Sequence, residues 1–202
     1  MMVQGFNTPL KEIRLEGFGI VLEALKSEHA ADLAVAAADG ELWNLHYTSV
    51  PAPGDEATYI AKALEQQAAG TQLPFVLRQV ESGRIIGTTR YHDIEAELAR
   101  LEIGYTWYAK SAQRTHVNTA AKYLLLRHAF DILQANIVGW RTDSENLVSQ
   151  AAITRIGGLR TGIMRGSRLR RDGSIGDSVH YSMSHVEWPQ HRQRLEAILA
   201  QQ

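Results

Sequence analysis

The chain has 202 residues, a formal net charge of −1 and no cysteine. This length suits one domain, residues 1–202, whose core needs no disulfide staples. The lack of cysteine excludes a disulfide framework, a thiolate nucleophile and a cysteine-based metal site. The near-neutral charge gives no overall field that would gather nucleic acid or anionic lipid.

The N-terminal segment, Met1–Lys11, lacks the basic patch and the apolar core of a secretory leader. No apolar run approaches the roughly 18 residues of a membrane helix. The sequence therefore predicts a cytoplasmic protein that has neither a membrane nor a nucleic acid as partner.

Hydrophobic periodicity and turn residues predict an α+β chain with a mixed sheet, which no repeat or linker divides. Strand-like runs are separated from helical patterns by stretches rich in Gly, Pro and Asp. The predicted strands are 14–25, 75–79, 85–93, 98–108, 137–143 and two strands around 170–174. The predicted helices are 27–38 with Ser27 as N-cap, 56–69, 118–133, 147–156 and 189–199.

The most informative local feature is a strand that opens into polar backbone at the start of a helix. The strand through Glu102–Trp107 is followed by the polar loop Ser111–Val117 and by a helix from about Asn118. Unpaired N–H groups and the helix dipole converge at such a point and favour an anion. This pattern suits the pyrophosphate of a nucleotide-bearing cofactor, and a plain surface loop is the alternative interpretation.

Several motifs occur in a characteristic order: Ile103-Gly104-Tyr105, Val117-Asn118-Thr119, Lys122, residues 124–130, Asn146 with Ser149, and Asp177 with Tyr181-Ser182. This order resembles the GNAT N-acetyltransferases and, within them, the RimJ/RimL-like branch of ribosomal-protein N-terminal acetyltransferases. The resemblance runs from about Arg14 to about Leu199. It implies the GNAT fold, a mixed and mostly antiparallel sheet of about seven strands, flanked by helices and splayed between the fourth and fifth strands.

The resemblance also implies an activity. Members of this family transfer an acetyl group from acetyl-CoA directly to a primary amine, either a protein or peptide N-terminus or a small molecule. Dimers are common among them. A degenerate GNAT scaffold that binds CoA or a protein partner without catalysis is the alternative.

The resemblance assigns the cofactor contacts. In the family the loop before the long helix reads Gln/Arg-x-x-Gly-x-Gly/Ala, and alignment on Gln113 puts His116 and Asn118 at the glycine-type positions. Asn118 is a mild replacement, because Asn tolerates positive φ and caps helices. His116 is the departure, since its imidazole either obstructs the phosphate or, turned outward, contacts it. The expected cofactor residues are Ile103, Gly104, Tyr105, Gln113, Arg114, Thr115, His116, Val117, Asn118, Thr119, Asn146 and Ser149.

Two groups are assigned to the chemistry. Asn146 and Ser149 lie one helical turn apart and share a helix face. In RimL-like enzymes the matching Asn contacts the cofactor arm and the matching Ser is the proposed proton donor to the CoA sulfur, while the Tyr of many other GNATs is replaced here by Ile153. Ser149 is equally compatible with a helix-start residue that satisfies backbone amides.

The base and the acceptor pocket are less determined. Glu102 is the provisional base, acting through water, and a solvated carboxylate is the alternative. His180 and Asp177 are the other candidates. The expected acceptor-binding residues are Trp43, His46, Tyr47 and His180.

Two remaining features are weaker. Four arginines form a basic hairpin that suits an acidic acceptor or RNA, although a solvated hairpin is the commoner explanation; they are Arg165, Arg168, Arg170 and Arg171. The eight histidines show no His-x-x-x-His pair and no carboxylate cluster at ligand spacing. No metal is therefore predicted.

Overall fold

The computed structural model of the chain describes residues 5–201. The first four residues of the N-terminal segment Met1–Lys11 therefore lie outside it. The strands are β1 (Leu15–Gly17), β2 (Ile20–Ala24), β3 (Gln72–Gln79), β4 (Ile85–Glu95), β5 (Arg100–Tyr108), β6 (Ile137–Asp143), β7 (Leu159–Leu169) and β8 (Ile175–Ser184). The helices are α1 (Ala30–Ala38), α2 (Glu56–Ala68), α3 (Val117–Arg127), α4 (Leu147–Ile156) and α5 (Trp188–Leu199).

The strands form one sheet in the order β1-β2-β3-β4-β5-β6-β8-β7. All neighbours pair antiparallel except β5 and β6. These two parallel strands pair only where Arg100–Glu102 meets Ile137–Gly139, and beyond that point they separate. The predicted fold class and its splay are confirmed, because β5 and β6 are the fourth and fifth predicted strands.

The segment 14–25 was predicted as one strand, and that prediction is wrong. Gly17 pairs with Ile20 across a two-residue turn, so β1 and β2 form a hairpin. Phe18 and Gly19, the turn residues, have φ angles of 54° and 73°. Positive φ at both central residues matches the twist of tight hairpins. The sheet therefore has eight strands, not about seven.

Two features of the helices differ clearly from the predictions. Ser27 is not an N-cap but the first residue of a 3₁₀ turn, and the N–H of Lys26 donates to His29 Nδ1 at 3.1 Å. The predicted helix 118–133 is α-helical only to Arg127, after which the chain continues as a wider π-helical turn. The boundaries of β6 and α4 agree with the predictions.

Each face of the sheet has its own apolar core. On one face α3 and α5 pack on strand residues such as Leu101 and Ile103. On the other face α1 and α2 pack on Val76, Ile85 and Trp107. Full burial of an aliphatic or aromatic side chain stabilises the fold by about 1.5–3 kcal/mol. Among residues 5–201 no helix is long and apolar enough to cross a bilayer.

Candidate functional site

A β-bulge in β5 lies where the splay opens. Tyr105 and Thr106 together face one residue of β4, Thr89. Tyr105 takes a φ of 51°. Because the bulge inserts one residue, Ile103 and Tyr108 both reach the core beneath α3 although their spacing is odd. The bulge therefore changes the direction of the backbone of β5 beside the gap that separates it from β6.

A buried lysine of α3 fixes this bulge. Lys122 Nζ donates to Thr106 Oγ1 at 2.6 Å, and the Thr106 hydroxyl is 2.8 Å from that of Thr89. Burial lowers the pKa of Lys122 to about 7. In the sequence, Lys122 was recognisable only as part of a motif and had no predicted role. The signal that could have revealed it is a lysine within an otherwise apolar stretch of a buried helix.

The loop before α3 presents free backbone donors. Val117 N–H is bonded to Thr115 Oγ1, and the first N–H of the regular helical pattern is that of Ala120, which donates to His116 O. Within residues 5–201 five neighbouring N–H groups donate to no backbone or side-chain acceptor: those of Arg114, Thr115, His116, Asn118 and Thr119. Free donors at a helix start form an anion site.

The two glycine-type positions have unexpected conformations. His116 has φ −68° and immediately precedes α3, while Asn118 is the second residue of the helix. The interpretation of Asn118 as a positive-φ or capping residue is wrong, because the helix begins one residue earlier than predicted. The left-handed residue of the loop is Arg114, with φ 59°. His116 Nε2 donates to the carbonyl of Phe18 at 3.0 Å, which holds the imidazole at the β1–β2 turn.

The start of α4 lies across the splay from β5, directly after β6. Asn146 is the N-cap, and its Oδ1 accepts from the Ser149 N–H at 3.0 Å. The Ser149 hydroxyl makes no hydrogen bond within the part of the chain that the structure describes. Asn146 therefore satisfies the helix backbone, which was the alternative role for Ser149, and leaves the hydroxyl available.

Glu102 lies at the vertex of the splay and is 3% exposed. Its Oε1 accepts from Arg100 Nη2 at 2.8 Å, and its buried Oε2 has no hydrogen-bond partner within residues 5–201. The expected alternative, a solvated carboxylate, is wrong. Gly139 on β6 provides the space, because a β-carbon there would lie 3.0 Å from Glu102 Cγ.

His92 lies beside Glu102 and was not among the predicted site residues. The register pairs the two residues across β4 and β5. The ligand-type atoms of His92, Asp93 and Glu102 all lie within 4.8 Å of one another, so the statement that no such cluster exists is wrong. Arg100 and Arg141 form ion pairs with the carboxylates. The absence of a metal stays a prediction, and the cluster could have been found from the strand register, not from spacing along the chain.

The predicted acceptor residues divide into two groups. His46 and Tyr47 lie in the α1–α2 loop and line a cavity of about 180 Å³ together with residues 168–171. Trp43 packs instead against the core beneath α1 and α2. His180 pairs with Arg141 across β6 and β8 and does not line this cavity.

The arginine hairpin ties the α1–α2 loop to the site. Arg170 donates to both carboxylate oxygens of Asp143 at 2.9 Å and lies 2.8 Å from Glu145. Burial raises the pKa of Asp143, but the hydrogen bonds from Arg170 and from the Glu145 N–H, together with the charges of Arg170 and Arg168, outweigh burial, so the net pKa is lowered. Arg171 and Arg168 donate to backbone carbonyls of the loop. The solvated-hairpin interpretation is therefore wrong for Arg170, whose side chain is 9% exposed, whereas Arg171 is exposed while it contacts the loop.

Asp177 has a structural contact. Its Oδ1 accepts from the Gly166 N–H at 2.8 Å within the β7–β8 hairpin. This bond fixes the hairpin, as the sequence analysis considered.

Comparison with known proteins places this geometry in a family. The profile described as Acetyltransferase (GNAT) domain matches residues 20–158, from β2 to just beyond α4. YdaF of Bacillus subtilis (strain 168), by its name a candidate ribosomal N-acetyltransferase, is 34% identical over 106 residues, which are 52% of this chain and 57% of YdaF. The chain thus matches little more than half of the length of this curated relative.

Two solved structures have the same fold. A GCN5-related N-acetyltransferase from Brucella melitensis has a TM-score of 0.85 and 24% identity, covering 96% of this chain and 89% of that one. RimJ of Mycobacterium smegmatis, in complex with CoA-disulfide, has a TM-score of 0.76 and 21% identity, covering 95% of each chain. The names of YdaF and RimJ support the predicted RimJ/RimL-like resemblance. The residues that the profile matches include the splay, the loop before α3 and the start of α4, so the chain belongs to the GNAT acetyltransferase family.

Proposed function

We propose that the protein is an acetyl-CoA-dependent N-acetyltransferase in which a primary amine attacks the thioester directly. The observation that carries the proposal is the convergence of two features on one gap in the sheet. Free N–H groups precede α3 at one side, and the unbonded Ser149 hydroxyl follows β6 at the other. GNAT acetyltransferases use acetyl-CoA, which supplies the activated acetyl group.

The residues present fit this cofactor. The free N–H groups of residues 114–119 suit the pyrophosphate. The backbone of Ile103–Tyr105, which no longer pairs with β6, suits the amide groups of the pantetheine arm as an added strand would. Gly104 permits close approach to this strand.

Four roles are assigned to side chains. Ser149 Oγ–H protonates the leaving thiolate, and Asn146, which keeps its amide donors free while Oδ1 caps α4, orients the cofactor arm. Glu102 Oε2 receives a proton from the amine through water. His46 and Tyr47, at the cavity under the arginine hairpin, contact the acceptor. Because YdaF is named as a ribosomal N-acetyltransferase, protein N-termini are the first acceptors to test.

The test is acetyl transfer to a panel of peptide N-termini, polyamines and amino acids, followed by mass spectrometry. Transfer that requires both acetyl-CoA and an unblocked amine supports the proposal. CoA binding without transfer to any member of the panel favours the second candidate, a non-catalytic GNAT scaffold. That candidate is motivated by His116 at a glycine-type position.

Replacement of His116 by Gly is expected to change acetyl-CoA affinity by less than about threefold, because the imidazole is engaged by the Phe18 carbonyl. The variant should lose about 1 kcal/mol of stability, since glycine costs backbone entropy and one hydrogen bond is lost. Isothermal titration and thermal melting measure the two effects. Affinity tighter by tenfold would show that the ring obstructs the phosphate, and affinity weaker by tenfold would show that the ring contacts it.

Replacement of Gly104 by Ala should destabilise the protein by about 1–3 kcal/mol, because the new β-carbon overlaps the buried His92 imidazole. Acetyl-CoA affinity should also fall. Gly162→Ala is the matched control, since a β-carbon at Gly162 on β7 meets nothing within 4 Å. If Gly104→Ala and Gly162→Ala have the same melting temperature and the same acetyl-CoA affinity, the space above Gly104 is not restricted.

A further inference from the structure

His92 is a buried histidine at the vertex of the splay, with 2% of its surface exposed. Its neighbour Tyr91 points into the core beneath α3, where the Tyr91 hydroxyl donates to the Leu125 carbonyl. Because neighbouring strand residues face opposite sides, His92 faces the side of α1 and α2. Glu102 is its partner in the strand register and lies on the same side. His92 thus lies where β5 and β6 begin to separate.

The two ring nitrogens face different groups. Nε2 lies directly above Gly104, the strand residue next to the expected path of the acetyl-bearing arm. Nδ1 lies 3.5 Å from Asp93 Oδ1, a carboxylate that is 41% exposed. His92 and then Arg141 lower the pKa of Asp93 to about 2 against the opposing effect of burial, so this carboxylate stays ionised. An imidazole with one nitrogen toward the reacting atoms and the other toward an orienting carboxylate has the geometry of a general base.

Buried polar atoms are usually hydrogen-bonded, and those that are not call for an explanation. His92 Nδ1 and Glu102 Oε2 both lack a hydrogen-bond partner among residues 5–201. By contrast, Glu102 Oε1 is already bonded to Arg100. When Nε2 is the free acceptor, Nδ1 carries its hydrogen toward Asp93. The buried Glu102 Oε2 beside it is then an acceptor without a donor, which is costly, and a proton brought to this site relieves that cost.

We propose that His92 is a further catalytic residue, which accepts the proton that the acceptor ammonium must lose before it attacks. This proposal rests on the proposed function and replaces Glu102 by His92 as the group that accepts the proton in its deprotonation step. An N–H bond of the ammonium breaks, its electron pair stays on the nitrogen as the nucleophile, and a new N–H bond forms at Nε2. Asp93 and Glu102 stabilise the imidazolium, which returns its proton to water at the exposed side of Asp93.

The charges around the ring fit this role. The titratable and charged groups around His92 are Asp93 of β4, Glu102, Arg100 and Tyr105 of β5, Arg141 of β6, and Arg90 of β4, which stacks on Tyr105. Asp93 and Glu102 offset an added proton on the ring, and the guanidiniums of Arg141, Arg100 and Arg90 oppose it. The Tyr105 ring packs edge-on against the imidazole at 5.2 Å and fixes its plane.

The experiment compares the pH dependence of kcat/KM for acetylation of an unblocked peptide N-terminus by wild type and His92→Gln at saturating acetyl-CoA. His92→Gln should be about 100-fold slower at pH 7 and should recover toward wild type as pH rises, because solvent then supplies the neutral amine. Acetyl-CoA affinity should stay unchanged. His128→Gln is the control for loss of a buried imidazole elsewhere, since His128 stacks on Tyr91 on the opposite face, and it should follow the wild-type profile.

A loss in His92→Gln that is the same fraction at every pH would overturn the inference, since a structural defect does not depend on amine protonation. If His92→Gln does not fold, Asp93→Asn replaces it. Residue 93 is partly exposed and has φ 46°, which Asn tolerates. The kcat/KM of Asp93→Asn at pH 7 should be about tenfold below that of wild type and should recover at high pH in the same way. Absence of transfer by wild type would refute the proposed function and this inference together, whereas wild-type transfer with parallel profiles would refute the inference alone.

Discussion

Alanine at position 149 is expected to lower kcat for acetyl transfer by about 100-fold and to leave acetyl-CoA affinity within about twofold. The Ser149 hydroxyl makes no hydrogen bond among residues 5–201, and the helix start is capped by Asn146. Removal of Oγ should therefore cost the fold little, so that a rate loss reports on protonation of the thiolate. Steady-state kinetics at saturating donor, together with titration calorimetry, measure the two quantities.

Two variants make the Ser149 experiment specific. Ser149→Thr keeps a hydroxyl and should recover most of the rate. Asn146→Ala removes the cap and should cost about 1 kcal/mol of stability, which Ser149→Ala should not. A Ser149→Ala enzyme with wild-type kcat would remove this residue from the mechanism.

Methionine at position 122 is expected to change how stability depends on pH. Burial lowers the pKa of Lys122 from an ordinary 10.5 to about 7, so between these values the unfolded chain carries a proton that the folded chain lacks. Stability must then rise with pH, because the unfolded state binds more protons. From pH 7 to 9.5 the Lys122 contribution is about 3 kcal/mol. Above this range the raised pKa values of the buried Tyr91 and Tyr108 act in the opposite sense.

The free energy of unfolding of wild type and Lys122→Met, measured by urea titration from pH 7 to 9.5, tests this expectation. From pH 7 to 9.5 the free energy of unfolding of Lys122→Met should rise by about 3 kcal/mol less than that of wild type. At pH 7 Lys122→Met should be the more stable protein. Thr106 and Thr89 keep their mutual hydrogen bond in the variant. Parallel curves for the two proteins would show that Lys122 keeps its proton in the fold.

The sequence predicted the elements whose ends have local causes. The helix α4 ends where Gly157 adopts φ 107° and begins at the Asn146 cap, and both residue types signal such ends. The β1–β2 turn was missed because Phe18 at positive φ is not a residue that signals a turn. Local sequence patterns therefore predicted the ends of helices and strands only where the residue at the end is of a type that commonly occurs there.

The site was only partly predictable for a different reason. The roles of His92 and Lys122 depend on strand register and on a bulge, which periodicity along the chain does not reveal. The burial of Glu102 depends on Gly139 from a strand that follows a helix and a loop. The arginines of the β7–β8 hairpin bind Asp143 at the end of β6 and carbonyl groups of the α1–α2 loop, and these contacts between distant segments are visible only in the tertiary structure.

Isothermal titration of the purified protein with acetyl-CoA, and in parallel with CoA, is the most direct test of the central claim that this GNAT domain binds the acetyl donor. The free N–H groups before α3 and the engagement of His116 by Phe18 predict binding in the micromolar range. No heat at high protein concentration, together with an unchanged melting temperature in the presence of acetyl-CoA, would contradict the claim. The chain would then be a GNAT scaffold without its donor site.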